Sequence, residues 1–74
     1  MSKRRPIIDR TWLKTARYNK NFTQSQVAEV AGISVAAYNL IENGFNVPGV
    51  DTALRITDYL GVSVRNFLTE KPIK

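Results

Sequence analysis

The sequence predicts an all-α fold of five short helices, and three observations carry that expectation. No segment sustains the period-two alternation of a half-buried strand. Apolar residues recur instead at helical spacing, as Trp12, Leu13 and Ala16 do, and as Tyr38 and Ile41 do. Helix-capping and helix-stopping residues return too often for any helix to be long. One compact domain is expected over residues 9–69, between a flexible basic arm (1–8) and a frayed tail (70–74).

Each element follows from local chemistry. Pro6 discourages helix at Arg5, so the first residues read as an arm. Asp9 is placed to cap a first helix that runs to about Tyr18, and Asn21 can take the left-handed conformation that ends it. Thr23 with Gln26 three residues later makes a capping box for a second helix, whose apolar face is Val27, Ala28 and Ala31. Gly32 closes it where the chain needs positive φ. Ser34 caps a third helix ending at Glu42 or Asn43, with Tyr38 and Ile41 turned inward, and Asn43-Gly44 terminates it. A fourth helix starts near Val50, with Asp51 beside its positive dipole end. Its inner face is read as Ala53, Leu54, Thr57 and Leu60, with Ile56 beside it, and Gly61 stops it. Ser63 caps a last short helix that returns Val64, Phe67 and Leu68 to the core, and Pro72 blocks continuation.

Composition narrows the function classes. The chain has 74 residues, 43% hydrophobic and 23% charged, an ordinary globular balance. It contains no cysteine, which removes disulfides and thiolate chemistry and fits a reducing cytoplasm. With no histidine, imidazole bases and His-ligated metals are also gone. No apolar run approaches the roughly 18–20 residues of a membrane span. Glu29, Asp51, Asp58 and Glu70 are scattered carboxylates with no nucleophile at a defensible spacing, and no glycine-rich loop could cradle a phosphate. An enzyme, a cofactor, a bound metal and a small-molecule substrate are therefore not expected.

The net charge is +5, which suggests an anionic partner, most simply nucleic acid. Its distribution is uneven. Residues 1–20 hold Lys3, Arg4, Arg5, Arg10, Lys14, Arg17 and Lys20 against Asp9 alone. Residues 21–54 hold no Lys or Arg, only Glu29, Glu42 and Asp51. The middle of the chain is acidic.

The informative stretch is Thr23 to Gly44: a helix, a tight turn containing Gly32, and a second helix. Small Ala28 allows close helix approach, while Ile33 and Ile41 pin the second helix to the domain. That is the logic of a helix-turn-helix unit, here residues 23–43. Leu13 with Arg17, Phe22-Thr-Gln24, Val27-Ala28-Glu29, Gly32-Ile33-Ser34, Ile41-Glu42-Asn43-Gly44, Pro48 and Leu60-Gly61-Val62-Ser63 together resemble the lambdoid Cro and phage-repressor helix-turn-helix family. The resemblance spans residues 10–68 and implies a lambda-repressor-like five-helix domain that binds double-stranded DNA, often as a homodimer on half-sites one helical turn apart.

Residue by residue, the resemblance implies phosphate contact at Gln24, with a solvated polar residue as the plain alternative. Thr23 matches a position near the same phosphate, although capping alone accounts for it. Asn43 and the backbone that follows match a phosphate-facing loop, although helix termination also explains them. Ser34, Val35, Ala36, Asn39 and Leu40 fall at the start and on the groove face of the recognition helix. Arg17 and Glu42 match a salt bridge, read as structural. Lys3, Arg4 and Arg5 are candidates for contact from the arm.

The chain departs from the family pattern on that groove face. Val35, Ala36 and Leu40 have no hydrogen-bonding side chain, leaving Asn39 alone able to read a base edge. Tyr38 stands where the family prefers Ile or Val, and its hydroxyl needs a partner or solvent. Two readings stay open. The arm with Lys14 and Lys20 supplies the attraction to DNA and the acidic helix-turn-helix orients the docking. Alternatively, Val35, Ala36, Asn39 and Leu40 bind a partner repressor, making the chain an anti-repressor or modulator. A surface helix with scattered apolar residues and no partner is the bland third option.

Overall fold

The computed structural model describes residues 7–70. Within them lie α1 (Thr11–Asn19), α2 (Gln24–Ala31), α3 (Val35–Glu42), α4 (Val50–Leu60) and α5 (Arg65–Leu68). None of these helices is long and apolar enough to cross a membrane.

The helix ends form by the local devices expected, with two displacements, at the starts of α1 and α5. The Thr23 hydroxyl accepts from the Gln26 amide while the Gln26 side chain accepts from Thr23 N, which completes the capping box of α2. Ser34 accepts from Ala37 N at 3.0 Å to start α3. Ser63 accepts from Arg65 N at 3.1 Å but stands one residue ahead of the α5 N-cap, Val64, which makes no side-chain cap bond. Asp9 acts one residue too early to be the N-cap of α1. That position belongs to Arg10, which makes no side-chain cap bond. Asp9 instead accepts from the hydroxyl and the amide of Thr11, and these bonds hold its carboxyl below the ordinary carboxylate range.

Gly44 has φ +82°, and a side chain there would collide with the Ile8 carbonyl oxygen. Both facts require glycine, because the incoming chain lies directly against it. Ile7 N and Ile8 N donate to the Gly44 carbonyl at 2.8 and 3.3 Å. Residues 7 and 8, expected in the arm, are therefore fastened to the end of α3.

The core is built around α2, which packs against both α3 and α4. Leu13, Val27, Tyr38, Ile56 and Leu60 are essentially excluded from water. In α4 the buried set is Ala53, Ile56, Thr57 and Leu60, spaced i, i+3, i+4, i+7. Leu54 lies one step off that stripe and is 39% exposed, contrary to the sequence expectation, whereas Ile56 is fully buried. Leu68 is likewise not returned to the core and stands 78% exposed. The one-turn α5 instead sends Phe67 inward, edge-on to Trp12 with ring centroids 4.9 Å apart. Phe22 stacks on Tyr59 at 4.3 Å on another side of the core.

Two buried ion pairs tie distant segments together. Arg17 Nε and Nη2 donate to the two Glu42 oxygens at 2.7 and 2.9 Å, and Nη1 reaches the Phe22 carbonyl at 2.9 Å. α1, the α1–α2 loop and the end of α3 are thereby joined. The Tyr38 hydroxyl is buried beside this pair with no hydrogen-bond partner. Burial, then the nearby Glu42 carboxylate, push its pKa upward, so it remains neutral. The second pair was not anticipated. Arg10 is buried, with Nε and Nη2 on Glu70 and Nη1 donating to the carbonyls of Ile41 and Asn46. The Trp12 indole donates to the same Glu70 at 2.6 Å. Glu70 is thus an anchored residue, not a solvated carboxylate or the start of a frayed tail.

Removing one partner of a buried pair costs about 3–5 kcal/mol because the other charge is stranded. Glu70→Ala, with Arg10 keeping its two carbonyl partners, should sit near 3 kcal/mol. That lowers the melting temperature by roughly 12–24 °C, and the fluorescence of Trp12, the single tryptophan, should change with it. For Glu42, burial raises the pKa, but the hydrogen bond from Arg17, helped by the neighbouring Tyr38 hydroxyl and by Gln24, outweighs it and leaves the value lowered. A lowered folded-state pKa stabilises above the unfolded value and loses that contribution as pH falls through the folded one. Stability should therefore decline below about pH 4.5, the ordinary value of this carboxyl. Glu42→Gln should be less stable at neutral pH and should lack that part of the decline in chemical denaturation series.

Candidate nucleic-acid interface

The outward side of α3 follows from the burial of Tyr38, Ile41 and Glu42 on its inward side. Val35 (44% exposed), Ala36 and Asn39 face water, and Leu40 is half-buried. Ser34 is exposed but its hydroxyl is engaged as the cap of α3.

An open cleft of about 770 Å³ lies between the C-terminal half of α1, the start of α2 and the end of α3. Lys14, Gln24, Ser25, Asn39 and Asn43 are among its lining residues, with the Arg17–Glu42 pair in its wall. Three candidate residues from different parts of the sequence, Gln24, Asn39 and Asn43, therefore share one concavity. Ser34, Val35, Ala36 and Leu40 lie outside it. Lys3, Arg4 and Arg5 lie outside the described residues.

The polar groups of the cleft are linked. Gln24 donates through Nε2 to Glu42 Oε1 at 3.1 Å and accepts through Oε1 from Asn39 Nδ2 at 3.3 Å. Asn43 Nδ2 donates to the Asn39 carbonyl at 2.9 Å, closing the last turn of α3. A hydrogen-bonded series thus runs from the buried Arg17 through Glu42 and Gln24 to the exposed Asn39. Its hydrogen bonds bias the side-chain torsions of both amides before any ligand arrives. The Glu42 charge is compensated by Arg17, whose own pKa is raised chiefly by that hydrogen bond.

Electrostatics within the cleft rest on few groups. Lys14 lines it and is in no ion pair among the described residues. The N-terminus of α2, carrying Gln24 and Ser25, adds the positive end of a helix dipole. Lys20, grouped with Lys14 in the sequence reading, is elsewhere. Its ammonium lies 3.6 Å from where a Gly61 side chain would begin, at the C-terminus of α4. Arg55 stands in the same relation to Gly32 at the C-terminus of α2. Sequence reasoning missed the exposed Tyr18, Asn21 and Ser25 as cleft residues. The position of Ser25 next to the Thr23 cap was an available signal. Asn21 carried a hint as well, since it does adopt positive φ (58°) at the turn leading into α2.

Comparison with known proteins agrees with this architecture. The sequence pattern of the helix-turn-helix family matches residues 13–67. The chain is 46% identical over 52 residues, 70% of its own length and 68% of the relative's, to the uncharacterized HTH-type transcriptional regulator YqaF of Bacillus subtilis strain 168. Among solved structures it is similar to SinR, the master regulator for biofilm formation, in complex with DNA, at TM-score 0.68 and 27% identity. That likeness covers 78% of this chain and 94% of the other. It is also similar to the SinR/SinI protein complex at TM-score 0.70 and 27% identity. There it covers 80% of this chain but only 58% of the longer one. The chain belongs to the helix-turn-helix family, and its fold is that of the family's DNA-binding transcriptional regulators.

Proposed function

We propose that this chain is a cytoplasmic regulator of a phage or mobile-element genetic switch that binds operator DNA through α3 and occludes a promoter. The observation that carries the reading is the series Arg17–Glu42–Gln24–Asn39. An adenine edge presents one acceptor and one donor in the major groove, and an asparagine amide matches both. Asn39 gives one amide hydrogen to Gln24, which leaves its second hydrogen for N7 and its oxygen for N6. The contact to Gln24 therefore helps orient the reader without using up its reading capacity. Val35 and Ala36 offer methyl groups to thymine, a contact that needs no polar atom.

Gln24, Asn43, Lys14 and the α2 N-terminus are assigned to phosphates on the two sides of the groove. With no cation between residues 21 and 54, most attraction to DNA falls to Lys14 and to Lys3, Arg4 and Arg5 in the arm. SinR, a structural relative, has been solved in complex with DNA, which supports groove binding for a domain of this shape.

A second reading is favoured by the apolar character of α3. Val35, Ala36 and Leu40 border Asn39 on a helix without cations, a surface suited to a partner repressor as much as to a groove. The two readings separate in titrations of labelled DNA from the protein's own locus against scrambled DNA, at low and physiological salt. Operator reading expects selective binding that survives physiological salt, and Asn39→Ala should weaken it by about 1–3 kcal/mol, relaxing one base position. Equal affinity for both DNAs at every salt overturns it. In the partner-repressor reading, Leu40→Asp abolishes the protein complex by burying an unpaired charge.

Removing residues 1–5 tests the arm. Loss of Lys3, Arg4 and Arg5 should flatten the dependence of log K on log salt by roughly 2–3 units if all three neutralise phosphates. An unchanged slope excludes the arm from the interface.

A further inference from the structure

We propose that Tyr38 is a positioning residue for DNA reading, whose phenol hydroxyl takes over the Glu42 carboxylate when Gln24 leaves it for a phosphate. This deepens the operator reading above and rests on it.

The Tyr38 hydroxyl is the one buried side-chain polar atom among the described residues without a hydrogen-bond partner. Tyr38 is 0% exposed and stands four residues before Glu42 on α3, so both side chains project from the same helix face. The two groups are near enough to act on each other. Burial and then the Glu42 carboxylate raise the pKa of the phenol, and the phenol in turn helps to lower that of Glu42. Packing does not call for the hydroxyl. The Ile or Val that the family resemblance places here has no polar atom to bury, whereas an unpaired buried hydroxyl is destabilising.

The Glu42 carboxylate already has three donors. Arg17 reaches its two oxygens at 2.7 and 2.9 Å, and Gln24 Nε2 reaches Oε1 at 3.1 Å, the longest of the three. Both lone pairs of Oε1 are thus taken, by Arg17 Nη2 and by Gln24. Arg17 is held on another side by the Phe22 carbonyl, so Gln24 is the donor free to go.

Glu42 is 2% exposed, which turns the Gln24 amide nitrogen toward the interior. A phosphate stands outside, so meeting it draws that nitrogen outward and away from Glu42. Left alone, the departure strips a buried carboxylate of a donor and weakens binding. Tyr38 offsets the loss. Its hydroxyl hydrogen turns about the C–O bond onto the vacated lone pair of Oε1. Glu42 then keeps three donors in both states, and the phenol gains the partner it lacks. The bond from Asn39 to Gln24 Oε1 comes from an exposed residue and moves with the amide.

The test is a double-mutant cycle on the full chain without DNA: the parent, Tyr38→Phe, Gln24→Ala and the double variant, each unfolded in urea. Either single change should shift the folding equilibrium constant by less than about 3-fold, because each donor serves in place of the other; the combination should lower it by about 10-fold. Followed by carbon NMR, the Glu42 carboxyl should keep its lowered pKa in both single variants and rise in the double one, a readout that lost packing does not move. Additive stabilities, or a Glu42 carboxyl unmoved in the double variant, overturn the exchange. On labelled DNA from the protein's own locus, Tyr38→Phe should weaken binding by about 3- to 10-fold in the parent and leave it unchanged in the Gln24→Ala background. Equal loss in both backgrounds overturns the positioning role. Since the first cycle contains no DNA, failure of the exchange and failure of the DNA reading are separate results.

Discussion

The Arg17–Glu42 pair is the interaction on which the rest of this domain depends. α3 is eight residues long, too short to be stable alone, and only its inward side packs. Glu42 ends that helix, and its carboxylate would be intolerable in the interior without a cation and further donors. Arg17 supplies a bidentate match from α1 and uses its remaining nitrogen on the Phe22 carbonyl, which fixes the chain entering α2. One guanidinium thereby sets the relation of three elements. The same carboxylate then accepts from Gln24, so the interior pair also orients the exposed polar face.

A second consequence concerns where positive charge is spent. The sequence shows an excess of Lys and Arg that suggests an anionic partner, yet the fold consumes much of it internally. Arg10 and Arg17 are buried in ion pairs. Lys20 and Arg55 sit at the C-terminal ends of α4 and α2, where the helix dipoles are negative. Lys14 remains at the cleft. A domain with so small a core gains from using cations as staples, because each one fixes segments that a short hydrophobic cluster cannot reach.

Much of the fold was legible locally. The Thr23–Gln26 box, the Ser34 cap, the left-handed Gly32 and Gly61, and the helix-turn-helix they frame depend on residues within a few positions of one another. What failed depended on packing. Leu54 and Ile56 both fit the apolar run of α4, and only contact with α2 decides that Ile56 is covered and Leu54 is not. Leu68 fits an inward position by the same pattern, although α5 is too short to bury more than Phe67. Glu70 looked like a solvated carboxylate because its partner, Arg10, is sixty positions away.

The sequence by itself determined the number and type of elements, their caps and turns, and the family pattern, because those rest on short-range sterics and hydrogen bonding. Pattern also marked Gln24, Asn39 and Asn43 as candidates. Tertiary structure alone decided that these three meet in one cleft with Lys14, that Gln24 bridges a buried ion pair to Asn39, and that an apolar groove stands open between α4 and α5. The physical reason is range. A cap is satisfied within one turn of helix, whereas a charge allocation or a concave surface exists only after distant segments have packed, and many spacings along a chain are compatible with the same local rules.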